Sequence, residues 1–253
     1  GALLGQDPET LSQAVSWIKE ATQKPLWVKL TPNVSDISEL ALVAKAAGAD
    51  AITATNTLSG MGGVDLETFS PLPSVDGIGT FGGYSGAGLK PVALRCAASI
   101  ARDVDTPLIG CGGISRWQDA AEFMAVGASM VEVCTAVMWN GYGIIDKLMT
   151  GLSNFCDHHG FINYNQLVGK ALPQLRPYTD IDLQVKTLAK VDPQICNGCT
   201  FCVTACDSGG FEAIFMEGKK AVVDAEKCDG CGLCVGICPI DAITMSMRPD
   251  IRR

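Results

Sequence analysis

The sequence predicts an α/β chain of parallel strands covered by helices, followed by a small α+β module built on a duplicated cysteine ruler. Three observations carry this. Strand-like and helix-like segments alternate strictly over the first two thirds of the chain, and such alternation implies parallel strands joined by helical crossovers. A connector rich in proline and polar residues, "LPQLRPYTDID", then interrupts the pattern. Beyond it, "CNGCTFCVTAC" from Cys196 and "CDGCGLCVGICP" from Cys228 repeat one four-cysteine spacing thirty-two residues apart. The expected organisation is residues 1–165, a linker over 166–188, and a second domain over 189–253.

The first helix is "PETLSQAVSWIKEATQ", with Leu11, Val15 and Ile18 on one face. "PLWVKLTPN" reads as a short buried strand stopped by Pro32, and "SDISELALVAKAAGA" as a helix capped by Ser35 and stopped by Gly48. The strand "AITATN" leads into a long Gly/Pro/Ser-rich segment from Leu58 to Gly88. Helix "KPVALRCAASIARDV", strand "PLIGCGG", helix "RWQDAAEFMAVGA", strand "MVEVCT" and helix "GIIDKLMTGLSNFCDHHG" complete four strand–helix units. A closed (β/α)8 barrel needs twice that number. A small open sheet and the second half of a barrel both remain compatible with this count. The opening "GALLGQDPE" lacks an initiator methionine and runs straight into a helix, so it reads as the middle of a longer protein.

Candidate site residues sit at the ends of the strands. "GCGGIS" closes the third strand and "VCTAVM" the fourth. Glycine-rich turns after the last two strands of a barrel commonly bind phosphate through backbone N–H groups, although the same glycines would also serve a tight turn. In "LWVKLT", Trp27, Lys29 and Thr31 alternate with Leu26, Val28 and Leu30, so the two sets face opposite sides of the sheet. A lysine at the end of an apolar strand implies an anionic or electron-rich neighbour, unless it snorkels to water. Asn56 and Thr57 close the second strand, where barrel enzymes place their chemistry, or serve simply as turn residues.

The spacing C-x2-C-x2-C-x3-C is that of a cubane iron–sulfur site whose fourth cysteine ligates the other cluster of a pair. It assigns Cys196, Cys199, Cys202 and Cys238 to one 4Fe–4S cluster, and Cys228, Cys231, Cys234 and Cys206 to the other. Four-cysteine zinc sites compete, but their ligand pairs are normally separated by longer loops. "VDPQICNGCTFCVTAC" aligns with "VDAEKCDGCGLCVGIC", and "FEAIFM" with "IDAITM" after three extra residues in the first copy. The other four cysteines, Cys96, Cys111, Cys134 and Cys156, lie scattered in apolar surroundings. Metal-type spacing without a signal sequence points to a reducing cytoplasm.

With 253 residues, 47% apolar and 18% charged, the chain can bury a sizeable core. Its formal charge of −8 argues against nucleic acid and anionic membrane as partners, and no segment is long and apolar enough to span a bilayer. No Ser/His/Asp set or carboxylate pair stands out. His158 and His159 end a helix as surface residues.

The motifs "VKLTPN", "TATNT", "GGYSG", "GCGGI" and "VCTAVM", followed by a two-cluster module with "ACDSGG" after its first ruler, resemble the dihydropyrimidine dehydrogenases. The resemblance covers essentially the whole chain and is strongest to the bacterial flavin and iron–sulfur subunit, while the barrel motifs are shared with dihydroorotate dehydrogenases. It implies the C-terminal half of a (β/α)8 TIM barrel of the dihydroorotate dehydrogenase type, followed by a two-cluster bacterial ferredoxin-like domain. It implies FMN in the barrel, with Lys29 at the flavin ring and Gly86, Cys111, Gly112, Gly113, Cys134 and Thr135 at the ribityl phosphate end. Asn56 and Thr57 match positions that hydrogen-bond the pyrimidine. Electrons would come from NAD(P)H through an FAD-bearing partner subunit of a hetero-oligomer, cross the clusters and reach FMN. The reaction implied is reduction of uracil or thymine to the 5,6-dihydropyrimidine, or its reverse. The family's general acid, a cysteine in a Ser-Cys-Pro motif, would lie upstream of Gly1. The resemblance therefore assigns no catalytic residue here, and the fragment alone is expected to be inactive. Two other readings are a dihydroorotate dehydrogenase-like flavoprotein with another substrate, and a pure ferredoxin-type electron-transfer module.

Overall fold

The structure, a computed structural model, describes residues 5–182 and 185–252. Residues 1–4, 183, 184 and 253 lie outside the described residues. The chain divides into two compact units, Gly1–Leu175 and Arg176–Arg253. Among the described residues no helix is long and apolar enough to cross a membrane.

In the first unit, helix α1 (Pro8–Ala21) starts on Asp7, whose carboxylate accepts from the Thr10 N–H at 2.8 Å, with Pro8 in the first turn. Leu11 and Val15 are buried, but Ile18 is 48% exposed, so the buried face is narrower than the periodicity suggests. Strand β1 (Trp27–Leu30) follows, then α2 (Ile37–Ala46), capped by Asp36 rather than Ser35. Both could cap, but only the Asp36 carboxylate receives the Ser38 N–H, at 2.8 Å. Strand β2 is Ala51–Ala54. The Gly/Pro/Ser-rich segment holds six short strands: β3 (Leu58–Gly60), β4 (Gly63–Val64), β5 (Pro71–Leu72), β6 (Ser74–Val75), β7 (Ile78–Gly79) and β8 (Gly82–Tyr84). They pair antiparallel as β3 with β8, β4 with β5 and β6 with β7. Then come α3 (Lys90–Asp103), β9 (Leu108–Cys111), α4 (Trp117–Ala125), β10 (Met130–Glu132), α5 (Thr135–Asn140) and α6 (Ile144–His158). The short helix α5 lies between the strand and helix expected from the sequence.

Strands β1, β2, β9 and β10 form one parallel sheet in chain order. A (β/α)8 barrel is wound in this sequential way, whereas a doubly wound sheet reverses at a switch point. No reversal occurs among these four strands, which favours the barrel reading over the open sheet. On the helix side, Leu30, Ile52, Leu108 and Phe123 are buried. Gly110 admits the Phe123 ring: a Cβ there would lie 2.6 Å from Phe123 Cδ1. On the opposite face Trp27 and Met130 are each 52% exposed, and the polar side chains of Lys29 and Glu132 project there.

The second unit contains β11 (Val185–Val191), α7 (Phe201–Ser208), β12 (Ile214–Glu217), β13 (Lys220–Val223), α8 (Leu233–Ile237) and β14 (Ile243–Arg252). Strand β11 pairs antiparallel with β14, and β12 with β13. The duplication read from the sequence is also a duplication of bonds. Asp192 N–H donates to the Ala242 carbonyl and Asp224 N–H to the Ala213 carbonyl, both at 2.8 Å. The Cys196 N–H donates to the Asp192 carbonyl at 2.9 Å and the Cys228 N–H to the Asp224 carbonyl at 3.0 Å. Gly198 and Gly230 share a φ of +77°, and a Cβ on either would strike a carbonyl oxygen, that of Lys219 or of Thr187. Leu188, Ile214, Ala221 and Ile243 pack with Cys196, Cys202, Cys228 and Cys234 in one core.

Candidate functional site

The C-terminal ends of the four parallel strands surround a cavity of about 250 Å³. Each strand contributes through the residues at or just beyond its end: Lys29 from β1, Asn56 and Thr57 after β2, Cys111, Gly112 and Gly113 after β9, and Cys134 and Thr135 after β10. Gly86, before α3, joins them. The structure thus brings together all nine barrel positions singled out from the sequence. Thr55, Ser85, Glu132 and Trp139 line the same cavity and carried no sequence signal of their own. Cys134 is exposed, unlike the buried Cys96, Cys111 and Cys156, because it caps the short α5 at the cavity rim instead of joining the core.

The Lys29 ammonium donates to Glu132 Oε2 at 3.0 Å and to Cys111 Sγ at 3.2 Å. The Thr53 hydroxyl donates to Glu132 Oε1 at 3.4 Å. Lys29 therefore does not simply snorkel to water; it is held in an ion pair at the strand ends. Burial works against its charge, but the bonds to Glu132 and Cys111 outweigh this and raise its pKa above that of ordinary lysine. Burial pushes the Cys111 thiol up, against the pull of the Lys29 ammonium, so the thiol stays neutral at neutral pH.

The turn after β9 has the geometry of an anion cradle. Gly112 and Gly113 have φ of +129° and +79°, and a Cβ on Gly113 would lie 2.6 Å from the Lys90 backbone nitrogen. Only glycine fits there, leaving peptide groups rather than side chains at the cavity wall. The Thr135 hydroxyl donates to Ser85 Oγ at 3.1 Å, tying the loop after β10 to the segment carrying Gly86. Asn33 holds the loop after β2: its amide donates to the Thr31 hydroxyl at 2.8 Å and the Thr57 carbonyl at 3.0 Å, and its oxygen accepts the Ser59 N–H at 2.7 Å. The buried Thr55 hydroxyl has no hydrogen-bond partner in the protein. An unsatisfied buried hydroxyl costs about 1–3 kcal/mol, so a polar occupant of the cavity would relieve it. The glycine cradle, the Lys29 cation and this orphaned hydroxyl, all lining one cavity, fit a flavin mononucleotide.

The eight ruler cysteines surround two smaller cavities, and they do so in crossed sets. One is lined by Cys196, Cys199, Cys202 and Cys238, the other by Cys228, Cys231, Cys234 and Cys206. The fourth cysteine of each ruler is held equivalently: Cys206 Sγ accepts from the Ala213 N–H and Cys238 Sγ from the Ala242 N–H, both at 3.3 Å. Among the described residues no three histidine, cysteine or carboxylate side chains close on a single ion. Four thiols around one cavity, in this spacing, suit a cubane, which fills the space between them. Burial and the neighbouring Cys228 and Cys231 push the Cys234 thiol up to about 11.

Residues 1–156 match the family model for dihydroorotate dehydrogenase, and residues 189–245 match that for the 4Fe-4S dicluster domain. The NAD-dependent dihydropyrimidine dehydrogenase subunit PreA of Escherichia coli K12 is 36% identical over 217 residues, covering 85% of this chain and 53% of that protein. The dihydroorotate dehydrogenase B (NAD(+)) catalytic subunit of Pyrococcus abyssi is 42% identical over 172 residues, covering 68% of this chain and 56% of that protein. The chloroplastic dihydropyrimidine dehydrogenase (NADP(+)) of Arabidopsis thaliana is 37% identical over 187 residues, 72% of this chain and 44% of that protein. The chain thus spans about half the length of the curated relatives it matches. The crystal structure of the Eimeria tenella dihydroorotate dehydrogenase in complex with ferulenol superposes with a TM-score of 0.54 at 24% identity, over 70% of this chain and 50% of that one; it supports the fold alone. The two family matches imply FMN in the first unit and two 4Fe–4S clusters in the second. With 156 of its 253 residues matched by the family's model, the chain belongs to the dihydroorotate dehydrogenase family and joins that barrel-type domain to a 4Fe-4S dicluster domain.

Proposed function

We propose that this chain is the flavin and iron–sulfur part of a pyrimidine-reducing oxidoreductase, interconverting uracil or thymine and the 5,6-dihydropyrimidine. The observation that carries the reading is the reach of the Escherichia coli relative. Its 217 matched residues exceed the 175 of the first unit and so run into the second, whereas the 172 matched in the Pyrococcus abyssi protein need not. A dihydroorotate dehydrogenase with another substrate would account for the barrel alone, and an electron-transfer module for the clusters alone. The proposed division is a barrel domain over 1–165, a linker over 166–188 and a cluster domain over 189–253.

Bound FMN supplies hydride transfer to one carbon of the pyrimidine double bond, and the clusters supply single electrons. Lys29 presents a fixed cation to the flavin ring. Gly86, Gly112 and Gly113, with Cys111, Cys134 and Thr135, hold the ribityl phosphate end through close-approaching backbone. Asn56 and Thr57 offer an amide and a hydroxyl to the carbonyl and N–H edge of the pyrimidine. Cys196, Cys199, Cys202 and Cys238 ligate one cluster, and Cys228, Cys231, Cys234 and Cys206 the other. No residue of this chain is assigned as general acid; the Cys111 thiol is occupied by its bond to Lys29. An FAD-bearing, NAD(P)H-oxidising partner subunit in a cytoplasmic hetero-oligomer completes the reading, because the chain offers clusters for electron entry.

Anaerobically purified protein is expected to contain about eight irons with matching acid-labile sulfide, and to load fully with FMN when the upstream half of the barrel is joined to it. Supplied with a low-potential electron donor, a longer form that carries the upstream half of the barrel should turn over uracil and thymine and leave orotate untouched, whereas this chain alone should turn over neither. Turnover of orotate in place of uracil would favour the dihydroorotate reading, and iron without flavin would favour the electron-transfer module.

A further inference from the structure

Among the described residues lining the barrel cavity, Lys29 and Glu132 are the only charged side chains. In the parallel sheet Lys29 is in register with Thr53, and Glu132 with Cys111. Thr53 is in turn in register with Ile109, two residues before Cys111, so the two pairs lie in adjacent rows on the face turned away from the helices. Between these rows Glu132 accepts from both Lys29 and Thr53, and Lys29 also donates to Cys111. An ammonium has three N–H donors; two are committed to Glu132 and Cys111, and one remains for an occupant of the cavity. The carboxylate thus both orients the ammonium and offsets its charge, at 3.0 Å.

We propose that Glu132 is a positioning residue that tempers the positive charge Lys29 presents to the flavin and so holds the flavin's reduction potential down. The inference rests on the assignment of FMN to this cavity. A cation beside the isoalloxazine favours the reduced, anionic form over the oxidised, neutral one, which raises the potential. A carboxylate bonded to that cation works in the opposite sense. Such a damped pair suits a flavin that must receive electrons from iron–sulfur clusters and also pass hydride onward, because too high a potential would strand the electrons. Neither Asn56, Thr57 nor the glycine cradle carries a charge with which to make this adjustment.

The test is an anaerobic redox titration of the flavin absorbance in the purified protein and in Glu132→Gln, with FMN and iron content measured in each. Glutamine keeps the volume and an acceptor for Lys29 while removing the charge. The expected result is a midpoint raised by the equivalent of a tenfold bias toward reduced flavin, about 30 mV for a two-electron couple. Glu132→Asp, which keeps the charge, should stay near the parent value, and Lys29→Met should move the midpoint downward. Bound FMN with the same midpoint in Glu132→Gln would overturn the proposal and leave the flavin assignment standing. A parent protein that takes up no FMN would overturn the assignment and the proposal together. If Glu132→Gln loses FMN, peptide-resolved alkylation of Cys111 in the apoprotein decides. Freed of the nearby carboxylate, that thiol should ionise more readily and react severalfold faster, and an unchanged rate would overturn the proposal.

Discussion

Asp119 is 2% exposed, and its two carboxylate oxygens take bonds from three residues. Oδ2 accepts the Ser115 N–H at 2.9 Å, the Ser115 hydroxyl at 3.1 Å and the Arg116 N–H at 3.0 Å, while Oδ1 accepts Lys90 Nζ at 2.7 Å. It therefore ties the start of α3 to the turn that follows β9, the two segments that meet behind the glycine cradle. Burial opposes its ionisation, yet the bonds from Lys90, Ser115 and Arg116 outweigh this and bring the carboxyl from 3.8 to about 2. A depressed acid stabilises the fold above its unfolded value and loses that contribution as pH falls toward the folded one. The shift corresponds to about 2 kcal/mol at neutral pH. Asp119→Asn is expected to lower the stability of the first unit by a similar amount in urea unfolding at pH 7. The gap between variant and parent should close between about pH 4 and pH 2; a constant gap would assign the loss to packing instead. Single residues were unevenly legible in the sequence. Lys29 stood out because a cation ending an apolar strand demands a reason. Glu132 did not, since "VEVC" shows no partner until the parallel sheet brings it within 3.0 Å of Lys29, 103 residues away.

Elements were legible where their period is long and illegible where it is short. The helices and the four parallel strands announced themselves through alternation, but α5 is only six residues and the strands from β4 to β7 are two each, too short for any periodicity to emerge. What the sequence offered there was composition, and glycine and proline indicate turning without saying what pairs. The turn after β9 lies between these cases. Its glycines were visible, but the need for them follows from the approach of α3, whose first residue places a backbone nitrogen 2.6 Å from where a Cβ of Gly113 would stand. Gly113→Ala must shift that contact and also occupy a φ of +79°. If this turn holds the phosphate end, the variant should bind FMN at least tenfold more weakly, an effect of about 1.4 kcal/mol or more. Riboflavin, which lacks the phosphate, should be much less affected. Equal losses for both ligands in fluorescence titration would place the phosphate elsewhere.

At the scale of the molecule, the two units differ in what fixes their sites. The barrel cavity depends on strand order, and its residues come from strand ends, loops and α5, scattered over more than 100 positions from Lys29 to Trp139. The cluster sites depend on a spacing written directly into the chain, which is why all eight cysteines could be named from the ruler alone. The crossing of the fourth cysteine is different in kind, because it requires the two copies to pack as a pair around a shared core. The structure supplies that packing: α7 and α8 carry Cys206 and lead into Cys238, and each of these sulfurs lines the cavity of the other copy's trio. Crossed and uncrossed ligation predict different consequences for Cys238→Ser. If the sets cross, that variant weakens the cluster held by Cys196, Cys199 and Cys202 and spares the one held by Cys228, Cys231 and Cys234. Anaerobic alkylation followed by peptide mapping should then label Cys196, Cys199 and Cys202 several times faster than in the parent, with the second trio still protected. Cys206→Ser should give the mirror image, exposing Cys228, Cys231 and Cys234. Labelling of the trio within the mutated ruler itself would mean that each copy closes its own cluster, and the pairing of the two copies would then serve packing without ligation.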